Sequence, residues 1–237
     1  MGYKRVMLKL SGEALGAEGT GHGIDPGAVR RLSGQISSVV GSGIELAVVC
    51  GGGNILRGAA FSELGAPRAS ADYMGMLGTI INCLALSDAL ESEGVETRVL
   101  TSLEVRSVAE PYVRRRALSH LSKGRVVILA GGLGTPLFTT DTAAAQRAVE
   151  LDCEVLLKAT KVDGVYTADP GLDPDATRIS SLSYMEVLRD QLRVMDGTAI
   201  TMCMEHKLPV VVFDLFKEGT LELVVQGQSH LGTTIQS

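Results

Sequence analysis

The chain has 237 residues, 45% hydrophobic and 21% charged, with a formal net charge of −5, enough for one large domain spanning residues 1–237. An acidic balance without a basic, aromatic-interleaved stripe argues against a polynucleotide partner, although a locally basic cleft can still hold anions. No run of about 18 uncharged apolar residues occurs, and Lys4, Arg5 and Lys9 interrupt the first eleven positions, so neither a membrane span nor a signal peptide is expected.

In chain order, Arg5 to Leu10 reads as a strand and Pro26 to Val40 as a helix, with Asp25 as N-cap and Pro26 in the first turn. Ile44 to Cys50 is a second strand, Ala71 to Glu91 a helix, Val95 to Thr101 a strand, Tyr112 to Leu121 a helix and Arg125 to Ala130 a strand. Thr142 to Leu151 (helix), Glu154 to Lys158 (strand), the helices Tyr184 to Gln191 and Thr198 to His206, and the strand Pro209 to Phe213 complete the series. Gly41 and Gly94 stand where C-terminal glycines belong. Strands apolar on both faces, alternating with helices, predict a three-layer α/β sandwich around a largely parallel sheet.

Asp163-Gly164, between β-forming residues, predicts a hairpin followed by the turn-rich Thr167 to Pro170. It is either a surface hairpin or a nucleotide lid. Arg114-Arg115-Arg116 reads as a solvated helix face or a subunit contact. Cys50, Cys83, Cys153 and Cys203 lie scattered in apolar runs, and the four histidines are as dispersed. Buried thiols in a reducing compartment follow, with no metal held by Cys or His.

Three glycine loops each follow a predicted strand: Lys9-Leu10-Ser11-Gly12, Gly51-Gly52-Gly53-Asn54 and Gly131-Gly132-Leu133-Gly134-Thr135-Pro136. That places them at the carboxyl edge of the sheet, where open α/β folds bind ligands, and glycine lets backbone N–H groups approach phosphate oxygens. Lys9 ends an otherwise apolar strand, so it either snorkels to solvent or meets an anion. Arg57, just past the second loop, is a phosphate clamp or a surface charge. Asp141 follows Thr139-Thr140 and is either a helix N-cap or a carboxylate that holds Lys9 in a phosphate pocket. G-x-x-x-x-G-K-[ST] is absent, as is a G-x-G-x-x-G after the first strand, so any phosphotransfer uses another scaffold.

These residues resemble the bacterial uridylate kinases of the amino-acid kinase family nearly end to end. The likeness rests on Tyr3 to Leu15 (YKRVMLKLSGEAL), Val48 to Gly58 (VVCGGGNILRG), Asp72 to Leu77 (DYMGML), Gly124 to Ala145 (GRVVILAGGLGTPLFTTDTAAA), Leu156 to Pro170 (LLKATKVDGVYTADP) and His206 to Phe213 (HKLPVVVF). The resemblance implies the amino-acid kinase fold, with acceptor residues in the N-terminal part and ATP residues in the C-terminal part. It implies transfer of the γ-phosphoryl group of ATP to UMP, with Mg²⁺ carried on ATP.

By position, the resemblance makes Lys9, Arg57 and Asp141 catalytic. It puts Lys9, Leu10, Ser11, Gly12, Gly53, Arg57, Thr160, Tyr166 and Asp169 on the ATP side. Gly52, Asp72 and the segment Leu133, Gly134, Thr135, Pro136, Leu137, Phe138, Thr139 and Thr140 fall on the UMP side. Leu133, Thr135 and Leu137 depart from the family's usual hydroxyl, amide and aromatic ring, so backbone contacts rather than these side chains are expected to serve UMP. The resemblance further implies a cytoplasmic homohexamer with GTP and UTP as regulators, and Asp88 and Arg98 at the GTP-linked position. Two other readings are a relative that phosphorylates a carboxylate or carbamate, and a noncatalytic anion store or nucleotide sensor.

Overall fold

The computed structural model describes residues 2–58, 61, 65–168, 170–173, 175–192 and 194–237. Its strands are β1 (Arg5–Leu10), β2 (Glu45–Cys50), β3 (Thr97–Thr101), β4 (Glu110–Pro111), β5 (Val126–Ala130), β6 (Val155–Thr160), β7 (Val165–Tyr166), β8 (Arg178–Ile179), β9 (Ser181–Ser183), β10 (Val210–Asp214) and β11 (Gly232–Gln236). The helices are α1 (Pro26–Val40), α2 (Arg68–Ser92), α3 (Arg114–Leu121), α4 (Thr140–Glu150), α5 (Tyr184–Arg189), α6 (Gly197–Glu205) and α7 (Thr220–Val225).

Nine strands form one sheet in the order β4-β3-β5-β2-β1-β6-β10-β11-β9. Every pairing in it is parallel except β10 with β11. Side chains alternate across a strand, and β1 shows the result. Val6, Leu8 and Leu10 enter a core shared with α1, α2 and α7, while Met7 enters the opposite core with α4, α5 and α6. Both faces are therefore dry, and each fully buried Val or Leu contributes about 1.5–3 kcal/mol relative to exposure. The expected three-layer sandwich is the observed one.

Asp25 caps α1 by accepting from Ala28 N at 2.7 Å. Gly94 has the left-handed φ of +84° expected of it, but Gly41 stays right-handed and Gly43 supplies the positive φ after α1. α2 is long and apolar enough to cross a membrane, yet half of that stretch is buried. Ile80, Cys83, Leu86 and Leu90 pack into the core, so its hydropathy reflects a core-facing helix.

The hairpin arises differently from its sequence signal. β7 pairs antiparallel with β8 across residues 167–177, and Asp163-Gly164 precedes β7 instead of forming its turn. Gly164 is needed there because a Cβ would come within 2.5 Å of Thr233 Oγ1. β11 and α7 had no clear sequence signal. Gly-Thr-Thr-Ile-Gln carries one large apolar residue, and it is held in the sheet by pairing with β10.

Candidate active site

β5, β2, β1 and β6 are consecutive, parallel neighbours, so the three glycine loops emerge side by side at one sheet edge. Gly12 is the point of closest approach: a Cβ there would lie 2.3 Å from Asn54 Oδ1 and 2.7 Å from the Gly51 carbonyl. Asn54 and Asn82 exchange amide hydrogen bonds at 3.0 and 2.6 Å, and Asn82 also donates to Gly51 O at 2.7 Å. The third loop is tied to α2 as well, because Gly131 N donates to Thr79 Oγ1 at 2.8 Å. One helix thus sets the spacing of two loops.

Alternation also decides where the lysines point. Lys9 lies two residues beyond Met7, and Lys158 two beyond Leu156, both of whose side chains face the α4 layer. The β1–β6 register makes Lys9 and Lys158 direct neighbours. Their ammonium groups reach the two oxygens of Asp141, Lys9 Nζ at 2.6 Å from Oδ1 and Lys158 Nζ at 2.7 Å from Oδ2. Lys158 also donates to the Val194 carbonyl.

Burial works against the ionised form of Asp141, but the two lysines outweigh it and hold the carboxyl below its ordinary range. Burial pulls Lys158 down, only partly offset by Asp141. Two cations on one buried anion leave a surplus positive charge, a ready seat for phosphate. Of the two readings of Asp141, the N-cap one is corrected: Thr139 caps α4, accepting from Asp141 N and Thr142 N at 3.1 and 3.4 Å, and Asp141 sits in the first turn. Asp196 in turn holds Thr142 Oγ1, at 2.8 and 3.0 Å, and caps α6 through Ala199 N at 2.9 Å.

Two clefts open near the glycine loops, and the two lysines line the second of them. One, of about 280 Å³, is lined by Gly52, Gly53, Arg57, Asp72, Leu133, Phe138, Thr139 and Thr140, among others. The other, of about 260 Å³, is lined by Lys9, Ser11, Glu13, Lys158, Thr160 and Lys161, among others. Gly53 and Arg57, expected on the ATP side, border the cleft that contains Asp72. Arg57 nevertheless reaches toward the other cleft, pairing with Glu13, whose second oxygen lies 3.0 Å from Lys161 Nζ. Lys161 foremost, with Arg57, keeps the Glu13 carboxyl below its ordinary range.

Asp72 accepts from Leu137 N at 2.8 Å and pairs with Arg68 at 2.9 Å. Each carboxylate oxygen keeps a further lone pair for a ligand hydroxyl. Leu133, Gly134, Thr135, Pro136 and Leu137 form the loop between β5 and α4, and Leu137 takes a positive φ of 74°. Tyr166 donates to Asp163 at 2.6 Å and lines neither cleft. Asp169 lies outside the described residues.

Asp88 and Arg98 line a separate groove of about 800 Å³ with Arg106, Glu110 and Arg116. There Arg98 faces Glu110 at 3.9 Å. In the arginine run, Arg114 and Arg116 are ion-paired, with Asp152 at 2.7 Å and Glu110 at 3.3 Å. All four thiols are free and buried, and burial pushes Cys153 and Cys203 up to about 12.

Sequence reasoning missed Lys158, Asp196 and Glu13 as site residues. Lys158 carried the same signal as Lys9, a lysine within an apolar strand, but its partner becomes evident only when β1 and β6 are placed side by side.

An acidic chain that folds into a doubly covered parallel sheet, with glycine loops and paired lysines at one edge, is built to hold phosphorylated ligands. The amino acid kinase family profile matches residues 4–214, and the chain belongs to that family. A crystal structure of UMP kinase from Bacillus anthracis superposes with a TM-score of 0.95 at 42% identity, covering 100% of this chain and 97% of that one. UMP kinase from Ureaplasma parvum matches with a TM-score of 0.92 at 33% identity over 100% of both chains.

Proposed function

We infer that this chain is an ATP-dependent UMP kinase that transfers the γ-phosphoryl group of ATP to UMP, giving UDP and ADP for pyrimidine nucleotide synthesis. The observation that carries the reading is the Lys9–Asp141–Lys158 triplet, whose lysines line one of the two clefts, in a fold shared over its full length with UMP kinases. The chain is read as a single domain, with the Asp72 cleft as acceptor site and the Lys9–Thr160 cleft as donor site.

The mechanism follows from charge. The UMP phosphate is already ionised at neutral pH, so it attacks the γ-phosphorus in line without a general base and without a covalent enzyme intermediate. Lys9, Arg57 and the loop N–H groups stabilise the negative charge spread over the transferring oxygens. Asp141 holds the lysines in place. Both of its oxygens are committed to lysines and Glu13 is paired with Arg57 and Lys161. Among the described residues no three His, Cys, Asp or Glu side chains form a metal-holding group. Mg²⁺ is accordingly read as part of the substrate, carried on the ATP phosphates.

The decisive assay is ADP release from ATP with UMP, with a carboxylate or carbamate acceptor, or with none. UMP-dependent turnover supports the reading; turnover only with the other acceptors points to a different family activity, and none with any acceptor to an anion store or sensor. Asp72→Ala is expected to raise the KM for UMP while that for ATP stays nearly constant. A change confined to the ATP constant would reverse the two clefts.

A cytoplasmic homohexamer is the reading for the assembly. It is supported by the free buried thiols and by the exposed stripe of Tyr73, Leu77 and Ile81 on α2. UTP contains UMP and competes at the acceptor cleft, whereas GTP activates from a second site that favours the active state. The groove holding Asp88 and Arg98 is that second site in this reading. Initial-rate measurements are expected to show GTP activation weakened in Arg98→Ala and UTP inhibition relieved by excess UMP. Undiminished activation in that variant would remove Arg98 from the site.

A further inference from the structure

We propose that Ser102, with its hydroxyl polarised by the buried Arg147, is a positioning residue that sets the orientation of the Gly132–Leu133 peptide in the acceptor loop. The proposal rests on the assignment of the Asp72 cleft to UMP.

Arg147 lies on α4 and is 8% exposed. Its guanidinium stacks 3.7 Å over the Tyr112 ring, donates to Glu150 Oε2 at 2.6 Å and donates to Ser102 Oγ at 3.1 Å. Tyr112 OH closes the far side of the network on the same Glu150 oxygen at 2.6 Å. A guanidinium only donates. The single proton of the Ser102 hydroxyl is therefore left for another acceptor, and Gly132 O lies 2.8 Å away.

A trans peptide directs its C=O and N–H to opposite sides. With Gly132 O held on Ser102, Leu133 N–H is turned the other way, and Gly132 and Leu133 both line the acceptor cleft. The loop is pressed against the same residue further on: a Cβ at Gly134 would come within 2.9 Å of Ser102 O. Gly132 has φ +55°, and Gly134 N donates to Gly131 O at 2.9 Å to close a turn around the Gly132–Leu133 peptide. Turns closed by that bond occur with either orientation of the central peptide, so the choice needs a contact from outside the turn. Ser102 supplies it. Because Arg147 and Asp141 share α4, the helix that seats the lysines also sets the start of the acceptor loop.

Ser102→Ala is expected to raise the KM for UMP about 5–10-fold, the equivalent of one hydrogen bond, with the KM for ATP within about twofold of wild type on the same scale. Ser102→Thr, which keeps the hydroxyl, should stay closer to wild type. Tyr112→Phe retains the ring under Arg147 and removes only the phenol's bond to Glu150, so it should lower the melting temperature without moving the KM for UMP. If Ser102→Ala leaves the UMP constant within twofold while Asp72→Ala raises it, the acceptor assignment stands and the role of Ser102 is refuted. If Ser102→Ala and Asp72→Ala both act on the ATP constant instead, the cleft assignment falls and the proposal with it.

Discussion

Lys9→Met is expected to lower kcat by about 10²-fold or more while changing the KM for ATP little. That is the cost of removing one preorganised electrostatic stabiliser aimed at developing charge. The variant should fold, because Asp141 keeps Lys158 at 2.7 Å and is not left as an unpaired buried anion. The deleted ammonium lines the cleft we assign to the donor, and in that reading it matters most when negative charge spreads over the transferring oxygens. Single-turnover measurements with saturating ATP and UMP separate this from slow product release. Near-normal turnover in a folded variant would remove Lys9 from the chemistry.

Asp141→Asn attacks the same triplet from its centre and should cost both stability and rate. Lys9 and Lys158 would face each other in a buried site with no anion between them, and breaking a buried ion pair typically costs about 3–5 kcal/mol. The pH dependence has a definite sign. Because the folded-state pKa of Asp141 is depressed, its contribution is fully present above about 3.9, the ordinary carboxylate value, and is lost as pH falls through the folded value. The gap between wild type and Asp141→Asn should therefore close in acid.

Lys158 gives a slope of the same sign in an alkaline window, but there it is the charged form that burial penalises. Its folded pKa is lowered by burial, so the unfolded chain binds the proton more tightly and stability rises with pH through the folded value toward about 10.4. With the carboxylate gone this alkaline gain should be larger in the variant than in wild type. Denaturant titrations across pH read both effects, and a stability gap independent of pH would refute the shared-anion arrangement. A kcat falling in step with that of Lys9→Met would show that Asp141 acts through the lysine.

The sequence by itself determined the sandwich, because short strands apolar on both faces can be stable only between two helical layers. β1 and α1 were legible to their end residues, since an apolar run and an Asp-Pro cap are local signals. The positions of the glycine loops at strand ends were legible for the same reason. The readings of Lys9 as catalytic, Arg57 as a phosphate clamp and Asp72 as a ribose contact came from motif resemblance, and for Lys9 and Arg57 spacing alone had left catalytic and structural roles open.

What only the tertiary structure decided is which distant groups meet. Lys158 and Lys9 become neighbours through the β1–β6 register, and Asp141 lies between them because period-2 alternation turns both side chains toward α4. The Asp163-Gly164 signal was misleading because two sheet residues, Val165 and Tyr166, found their partners at Ile179 and Arg178, beyond a longer connection. Ser102 and Arg147 are 45 positions apart, and neither has a local pattern that marks it. Local preferences specify elements, but register and layer packing specify partners, and a lysine-rich edge made from three loops and two strands exists only after those long-range pairings are made.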